Sequence, residues 1–527
     1  MDAFVQPLYE LADFDAIIRQ LKKPGIVQVS GCLDSQKAHF TNGLLREFPF
    51  RLIVAENDLK AKAFYEDFRL YDPEVLYYPA RDLIFYQADI HGNLLTRQRI
   101  QVLRALLERE EVTIVTSIDS CLDCLVPLAV WKEKVIKIRN DSEIDLDRMK
   151  RHLLELGYEW AAQVEVPGQF SIRGGIMDVF SLTEDNPWRI ELWGDEVDSI
   201  RSFDAESQRS IENLEEITIY PATEVVLDKE TIRQGIKAIE KEAQKSQKKF
   251  RDEMKTEEGA RVRQIAAELK DQLEEMEHIA GAESFVRYFY KKTESLLEYL
   301  PENTLVVIDE PNRLTEHAKT TEEEFRESMI RRLEKGYLLP GQMEVIRNHQ
   351  EVVHRFHQMH TLSLSTMEPR GAGWNFTMEM QLTVKSVNPY NNSFEMLVKD
   401  LLRWKKSGYR MLLLSPSRTR AARLAKDLQD QELSAFYSED PEELIQPGQI
   451  KVTWGRVSRG FEYPMVKYVV ISETDIFGKE KKKKRKKSQY SGKQIQSFSE
   501  LSVGDFVVHE NHGLGVYRGI EKMEVDG

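Results

Sequence analysis

Two short stretches of this chain carry residues whose types and spacing handle a nucleotide. After a β-rich run from Ile26 to Ser30 comes Gly31-Cys32-Leu33-Asp34-Ser35-Gln36-Lys37-Ala38, which lies without a gap against the phosphate-loop pattern G-x-x-x-x-G-K-[ST]. Such a loop holds phosphates with closely approaching backbone amides and a lysine, and holds Mg²⁺ through its hydroxyl. Gly31 and Lys37 are in place, but Gln36 stands where the second glycine belongs and Ala38 where the hydroxyl belongs. Much later, Val306-Val307-Ile308 runs into Asp309-Glu310, an apolar strand ending in the paired acids that hold Mg²⁺ and orient water in phosphate-loop ATPases. Paired acids also occur at strand ends by chance. With one metal ligand missing, the expectation is a degenerate nucleotide site marked by Gly31, Lys37, Asp309 and Glu310, with no catalytic residue and no metal. No Ser-His-Asp, Cys-His or His-Glu-x-x-His constellation stands out elsewhere.

The elements that must position these residues read as α/β. Across 24 to 150, short β-rich runs (Ile26 to Val29, Arg51 to Ala55, Val75 to Tyr78, Val112 to Thr116) alternate with helical stretches such as Leu95 to Arg109, the pattern of a parallel sheet. We assign 1–150 to the first part of a helicase-like α/β domain and 151–221, where strands and turns crowd together, to an inserted α+β domain. Glu, Lys, Gln and Ala with apolar residues at helical spacing (Ile265, Leu269, Leu273, Met276) predict a pair of long helices. These helices and the strand Thr304 to Ile308, which returns the chain to the first sheet, make up 222–345. A separate small α/β domain is expected over 346–478, with Met411 to Ser415 leading into a helix from Arg418 to Gln431 and another strand at Val466 to Ile471. Residues 479–497 read as a basic linker, and 498–527 as the start of a small SH3/Tudor-like β-barrel. That barrel has too few strands to close, so the chain is expected to be a fragment.

Composition sets the outer bounds. At about 100 to 200 residues per domain, 527 residues imply three to five domains. Apolar residues make up 41% and charged ones 31%, which is globular, and no uncharged apolar run is long enough to cross a bilayer. The N-terminus lacks a signal-peptide pattern, and three cysteines fit a reducing cytoplasm. Cys121-x-x-Cys124 is at most half a zinc site and reads as two buried or half-buried thiols. A net charge of −14 argues against coating nucleic acid over the whole surface. The block Lys479 to Lys487 is the local exception: a solvated linker, with transient contact to nucleic acid as the other reading.

The stretch Val166-Pro167-Gly168-Gln169-Phe170-Ser171-Ile172-Arg173-Gly174-Gly175-Ile176-Met177-Asp178-Val179-Phe180 is followed closely by Trp188-Arg189-Ile190-Glu191-Leu192-Trp193-Gly194-Asp195-Glu196-Val197-Asp198-Ser199-Ile200-Arg201. Alternation there predicts paired strands with arginines on the polar face. It resembles the module shared by the excision-repair helicase subunit UvrB and the bacterial transcription-repair coupling factor (Mfd), which binds the damage-recognition protein UvrA. With Phe203-Asp204-Ala205-Glu206-Ser207-Gln208-Arg209, the altered phosphate loop and Val503 to Gly515, nearly the whole chain is similar to the N-terminal half of the coupling factor family. UvrB is the weaker match, since its phosphate loop is intact and it lacks the final segment.

The resemblance implies partners rather than catalysis. Arg173, Arg189 and Trp193 fall where the family contacts UvrA, and rigid guanidinium forks beside a Trp suit an interface. On the residues alone, Trp193 as core and the arginines as solvated strand residues is the other reading. Val507, Val508, His509 and Glu510 fall in the segment that extends a sheet of the RNA polymerase β subunit, although Glu510 replaces an apolar residue of some relatives. In the family, a motor using ATP and Mg²⁺ moves along double-stranded DNA and releases polymerase stalled at a lesion. That motor is absent here, so this chain is expected to need no cofactor, to lack activity by itself, and to be cytoplasmic and free of membrane. The alternative is a stand-alone UvrB-like ATP-dependent helicase using Lys37, Asp309 and Glu310.

Overall fold

The structure is a computed structural model, and it describes residues 3–44, 47–81, 94–274, 281–369, 373–478, 506–509 and 513–516. The first sheet is built from β1 (Gly25–Ser30), β2 (Phe50–Ala55), β3 (Leu76–Tyr78) and β4 (Val112–Ser117), to which later parts of the chain return. Its strands are near-continuous Val, Ile and Leu runs because helices cover both faces.

The inserted module follows as β5 (Ile136–Arg139), β6 (Glu159–Trp160), β7 (Gln169–Arg173), β8 (Ile176–Val179), β9 (Trp188–Trp193), β10 (Glu196–Phe203), β11 (Ser210–Leu214) and β12 (Glu216–Ile219). Six of these form one sheet in the order β11-β10-β9-β8-β7-β6, antiparallel except at β6–β7. The other two pair with each other, so the module begins at Ile136 and not at residue 151. Ile138, Ile144 and Leu153 share its core with Phe170, Met177, Ile190 and Ile200.

The long helices are Lys229–Asp252, capped by Asp228 accepting from the Thr231 amide at 2.9 Å, and Thr256–Glu274. They pack through Ile239, Ala243 and Phe250 against Val262, Ala266, Leu269 and Leu273. Ile265, expected in that seam, is only half-buried because Val262 and Ala266 occupy the inward register; Met276 lies outside the described residues.

β13 (Leu305–Asp309), β14 (His360–Leu364) and β15 (Phe376–Gln381) then complete the first sheet, in the order β15-β1-β14-β13-β2-β4-β3 with every neighbour parallel. The expected boundary at 346 is therefore displaced: β14 and β15 belong to the first sheet, and Met378 pairs with Val27. A second sheet, ordered β16-β20-β21-β17-β19-β18, uses β16 (Lys385–Ser386), β17 (Arg410–Ser415), β18 (Ala435–Tyr437), β19 (Ile450–Trp454), β20 (Phe461–Tyr463) and β21 (Tyr468–Ile471). It is not separate in packing. Leu412, Leu414, Phe461, Tyr463 and Tyr468 share one apolar cluster with Leu8, Phe14 and Phe40, so Met1–Gly478 is a single compact unit.

A buried ionic knot ties the module to the first sheet. The Arg99 guanidinium stacks over Tyr78 at 4.1 Å and donates to Asp123 at 3.0 Å, to the Pro79 carbonyl at 2.7 Å and to both carboxylate oxygens of Glu224, which also pairs with Arg81.

The second unit is Lys479–Gly527. Within it β22 (Phe506–His509) and β23 (Gly513–Val516) form an antiparallel hairpin with His509 opposite Gly513. Val507, Val508 and His509 lie in β22; Glu510, the linker 479–497 and the lysine block lie outside the described residues, and two described strands do not define a barrel. Among the described residues no helix is long and apolar enough to cross a membrane.

Candidate functional sites

The parallel sheet sends the ends of β1 and β13 to one edge, and there Lys37 meets the two acids across 272 residues of sequence. Lys37 is completely buried, with Nζ donating to Asp309 Oδ1 at 2.6 Å and Glu310 Oε1 at 2.7 Å, and with Asp34 Oδ1 at 3.7 Å. Burial alone would lower the ammonium's pKa, but Asp309 and Glu310 outweigh it and hold Lys37 charged. Glu310 in turn is depressed, its burial overcome by Lys37, whereas the deeper Asp309 is raised by burial despite Lys37. Glu310 holds a left-handed backbone (φ 55°), uncommon for a residue with a Cβ. Its Oε1 also accepts from the Thr366 amide at 2.8 Å and hydroxyl at 2.7 Å, contacts that fix this conformation.

The loop itself is filled by the chain. Gly31 has φ +80°, and a Cβ there would lie 2.1 Å from the Leu382 carbonyl oxygen, so packing against the end of β15 accounts for this glycine. Gln36 Nε2 donates to the Tyr463 hydroxyl at 2.7 Å, and its Oε1 accepts from the Leu33 amide at 3.2 Å. His39 Nε2 lies 2.6 Å from the Phe4 carbonyl and Nδ1 3.2 Å from the Tyr463 hydroxyl; burial depresses the ring to about 4. The second sheet thus closes over the helix Asp34–Asn42, where a nucleotide's phosphates would need open amides. The structure brings Lys37, Asp309 and Glu310 together and packs Gly31 against Leu382, each committed to another part of the chain.

All three cysteines are free and buried. Burial raises the Cys121 and Cys124 thiols, which disfavours the thiolate a metal needs.

The module's sheet presents a different arrangement. Alternation turns Phe170, Met177, Ile190 and Ile200 inward and Arg173, Asp178, Arg189, Glu191, Trp193 and Arg201 outward. Asp178 is the pivot. Its side chain is 1% exposed, accepting from Arg189 Nε at 2.7 Å and Nη2 at 2.8 Å, and from Arg173 Nη2 at 3.1 Å. Arg189 also donates to Gln208 at 3.0 Å and lies 4.4 Å over the Phe203 ring, so its guanidinium is largely spent within the module. Arg173 keeps 51% of its side chain exposed. Trp193, 85% exposed at the tip of the β9–β10 hairpin, is not a core residue.

Asp178 and Gln208 do the positioning, and neither was singled out from the sequence. Gln208 had a signal: the turn Asp204 to Arg209, held by Asp204 Oδ1 accepting from the Ser207 amide and hydroxyl at 2.8 and 2.6 Å, aims Gln208 at Arg189.

Comparisons with known proteins agree with the two ends of this picture. The UvrB interaction domain family matches residues 136–225, beginning where β5 begins and ending a few residues past β12, and the CarD-like/TRCF RID domain family matches 501–527. Along its length the chain is 32% identical to a transcription-repair-coupling factor of Bacillus subtilis, covering 100% of this chain and 45% of that protein. Proteins of the same name from Staphylococcus epidermidis and Staphylococcus haemolyticus are each 28% identical over 95% of this chain and 42% of theirs. The chain spans less than half the length of these curated relatives.

Proposed function

The chain is a relative, along its whole length, of the transcription-repair-coupling factors, and from that premise we propose that it is the partner-docking portion of such a factor. The outward face of the module docks UvrA: Trp193 and the free edge of Arg173 make the contact, and Arg189 holds the strand face in shape. A guanidinium already oriented by a buried carboxylate loses little freedom on binding, and an exposed aromatic on the same face supplies an anchor. The segment around β22, with Val507, Val508, His509 and Glu510, docks RNA polymerase by adding a strand to a sheet of the β subunit. ATP and Mg²⁺ serve a motor elsewhere in the full-length protein, which acts on double-stranded DNA in the cytoplasm and releases stalled polymerase. The chain itself needs neither.

The observation that supports this most is the exposure of Trp193 and Arg173 on one face of the module's sheet, against the complete internal engagement of Lys37. A titration of the chain with purified UvrA tests it, using the parent, Arg173→Ala and Trp193→Ala. Binding weakened at least about tenfold by each variant is expected for interface anchors. A folded parent that fails to bind UvrA would sink the assignment. The competing reading, a stand-alone UvrB-like ATPase, requires DNA-stimulated ATP turnover, which the occupied loop opposes.

A further inference from the structure

The helix Lys229–Asp252 carries charge in a way that neither packing nor ion pairing explains. Its buried edge runs through Ile232, Gly235, Ile239, Ala243 and Phe250. At 3.6 residues per turn, Lys237, Lys241, Lys245 and Lys248 fall on the opposite side, and all four are exposed. The only acids between Thr231 and Arg251 are Glu240 and Glu242. Both are turned aside: Glu240 accepts from Lys270 at 2.9 Å, and Glu242 accepts from the Tyr288 hydroxyl and, at 3.1 Å, from the Gly341 amide. Among the described residues, none of the four lysines has an ion-pair partner within 4.0 Å. Like charges three or four apart on a helix repel one another, so an uncompensated row carries a cost that a bound polyanion would remove.

We propose that this row docks the phosphate backbone of double-stranded DNA. At about 1.5 Å per residue the four ammonium groups span roughly 16 Å along a straight rod, in steps near 6 Å. A duplex offers a matching rigid line of charge, about one per 1.7 Å of its axis. A single strand would call for exposed aromatics to stack its bases. The outward side instead has Gln234 and Gln244 beside the lysines, and Phe250, the one aromatic of this helix, is buried. Lysines act on phosphate as point charges without reading bases, so the contact is independent of sequence and sensitive to salt. The net charge of −14 confines a duplex to such local rows. The row lies outside the UvrA-docking face, and UvrA binding neither supports nor endangers it.

Fluorescence anisotropy of the whole chain with a labelled mixed-sequence duplex, titrated between about 50 and 200 mM salt, tests the proposal. The proteins compared are the parent, the quadruple variant Lys237→Gln, Lys241→Gln, Lys245→Gln and Lys248→Gln, and the same four positions changed to Arg. With about 0.9 units of slope per phosphate contact, the Gln variant is expected to lose roughly 3 to 4 units from the dependence of log K on log salt, and at least about tenfold in affinity at the lowest salt. The Arg variant keeps both. The difference in slope isolates the helix from the Lys479 to Lys487 block, which is identical in all three proteins, and circular dichroism checks that the helix persists. A parent that does not bind the duplex at the lowest salt, or a Gln variant with the parent's slope, overturns the proposal.

Discussion

The Lys37 cradle and the outward face of the module are built from the same parts, cations aimed by carboxylates at the end of a strand, yet they face opposite ways. Lys37 is wholly enclosed and shared between Asp309 and Glu310, whereas Asp178 orients Arg173 and leaves half of its side chain in solvent on the face that also carries the open Trp193. Charge and motif do not separate the two. What separates them is whether donor capacity remains after the fold has satisfied itself: the cradle keeps none for a ligand, and the module face keeps some.

That contrast breaks first at Lys37. Lys37→Ala leaves two carboxylates in a closed site without their cation, and removing one partner of a buried pair costs about 3–5 kcal/mol. Urea unfolding reads the loss; a change below about 1 kcal/mol would mean that the cradle is wetter and less committed than its geometry states.

The junction above the cradle adds a pH signature. His39, depressed to about 4 by burial, stays neutral in the fold while the unfolded ring takes a proton near 6.5. Its contribution is therefore full above pH 6.5 and is lost as pH falls toward 4, by about 3 kcal/mol. Asp67 works against it. Its carboxylate accepts from the Ser458 amide at 2.6 Å and hydroxyl at 2.7 Å, but burial raises it to about 6. Between about 4 and 6 the folded state then holds the extra proton, so Asp67 stabilises as pH falls. Each single variant exposes the other group: relative to the parent, Asp67→Asn is expected to lose stability toward acid, and His39→Gln to gain it. Parallel pH profiles for parent and variants would remove both groups from the account.

Smaller effects separate residues within the module face. Arg189→Ala strips Asp178 of two hydrogen bonds and uncovers Phe203, for an expected loss of about 2 kcal/mol in unfolding free energy. Trp193→Ala, at an exposed hairpin tip, should stay within about 0.5 kcal/mol of the parent. Equal losses would show that the two residues do not divide into positioning and contact.

Much of the scaffold was legible in the sequence, and for a physical reason. Strands buried on both faces must be continuous apolar runs, so β1, β2, β4 and β13 stood out, and the long helices announced themselves by period. Long-range placement did not. Nothing local says that β15 adds beside β1, that the short strand at Ile136 pairs with Ile219, or that Tyr463 reaches Gln36 across 427 residues. The degenerate loop could be read from Gln36 and Ala38, but not that Leu382 and Tyr463 had taken up its space. Alternation put Arg173 and Arg189 on one face; only Asp178 and Gln208 distinguish the free arginine from the engaged one.

The smallest expected effect is the sharpest test of the contrast. A ligand that binds only the folded chain stabilises it by about 2.7 kcal/mol at a hundredfold excess over its dissociation constant, so even a weak nucleotide site would move the melting temperature at millimolar ATP. We expect Mg²⁺ and ATP to leave it unchanged, because ATP would have to displace the Leu382 carbonyl and detach Lys37 from both acids before any phosphate could reach the loop. Purified UvrA, under the same conditions, should raise it. A thermal shift with ATP that disappears in Lys37→Ala would place a working site inside the cradle, and burial would then no longer distinguish the two regions.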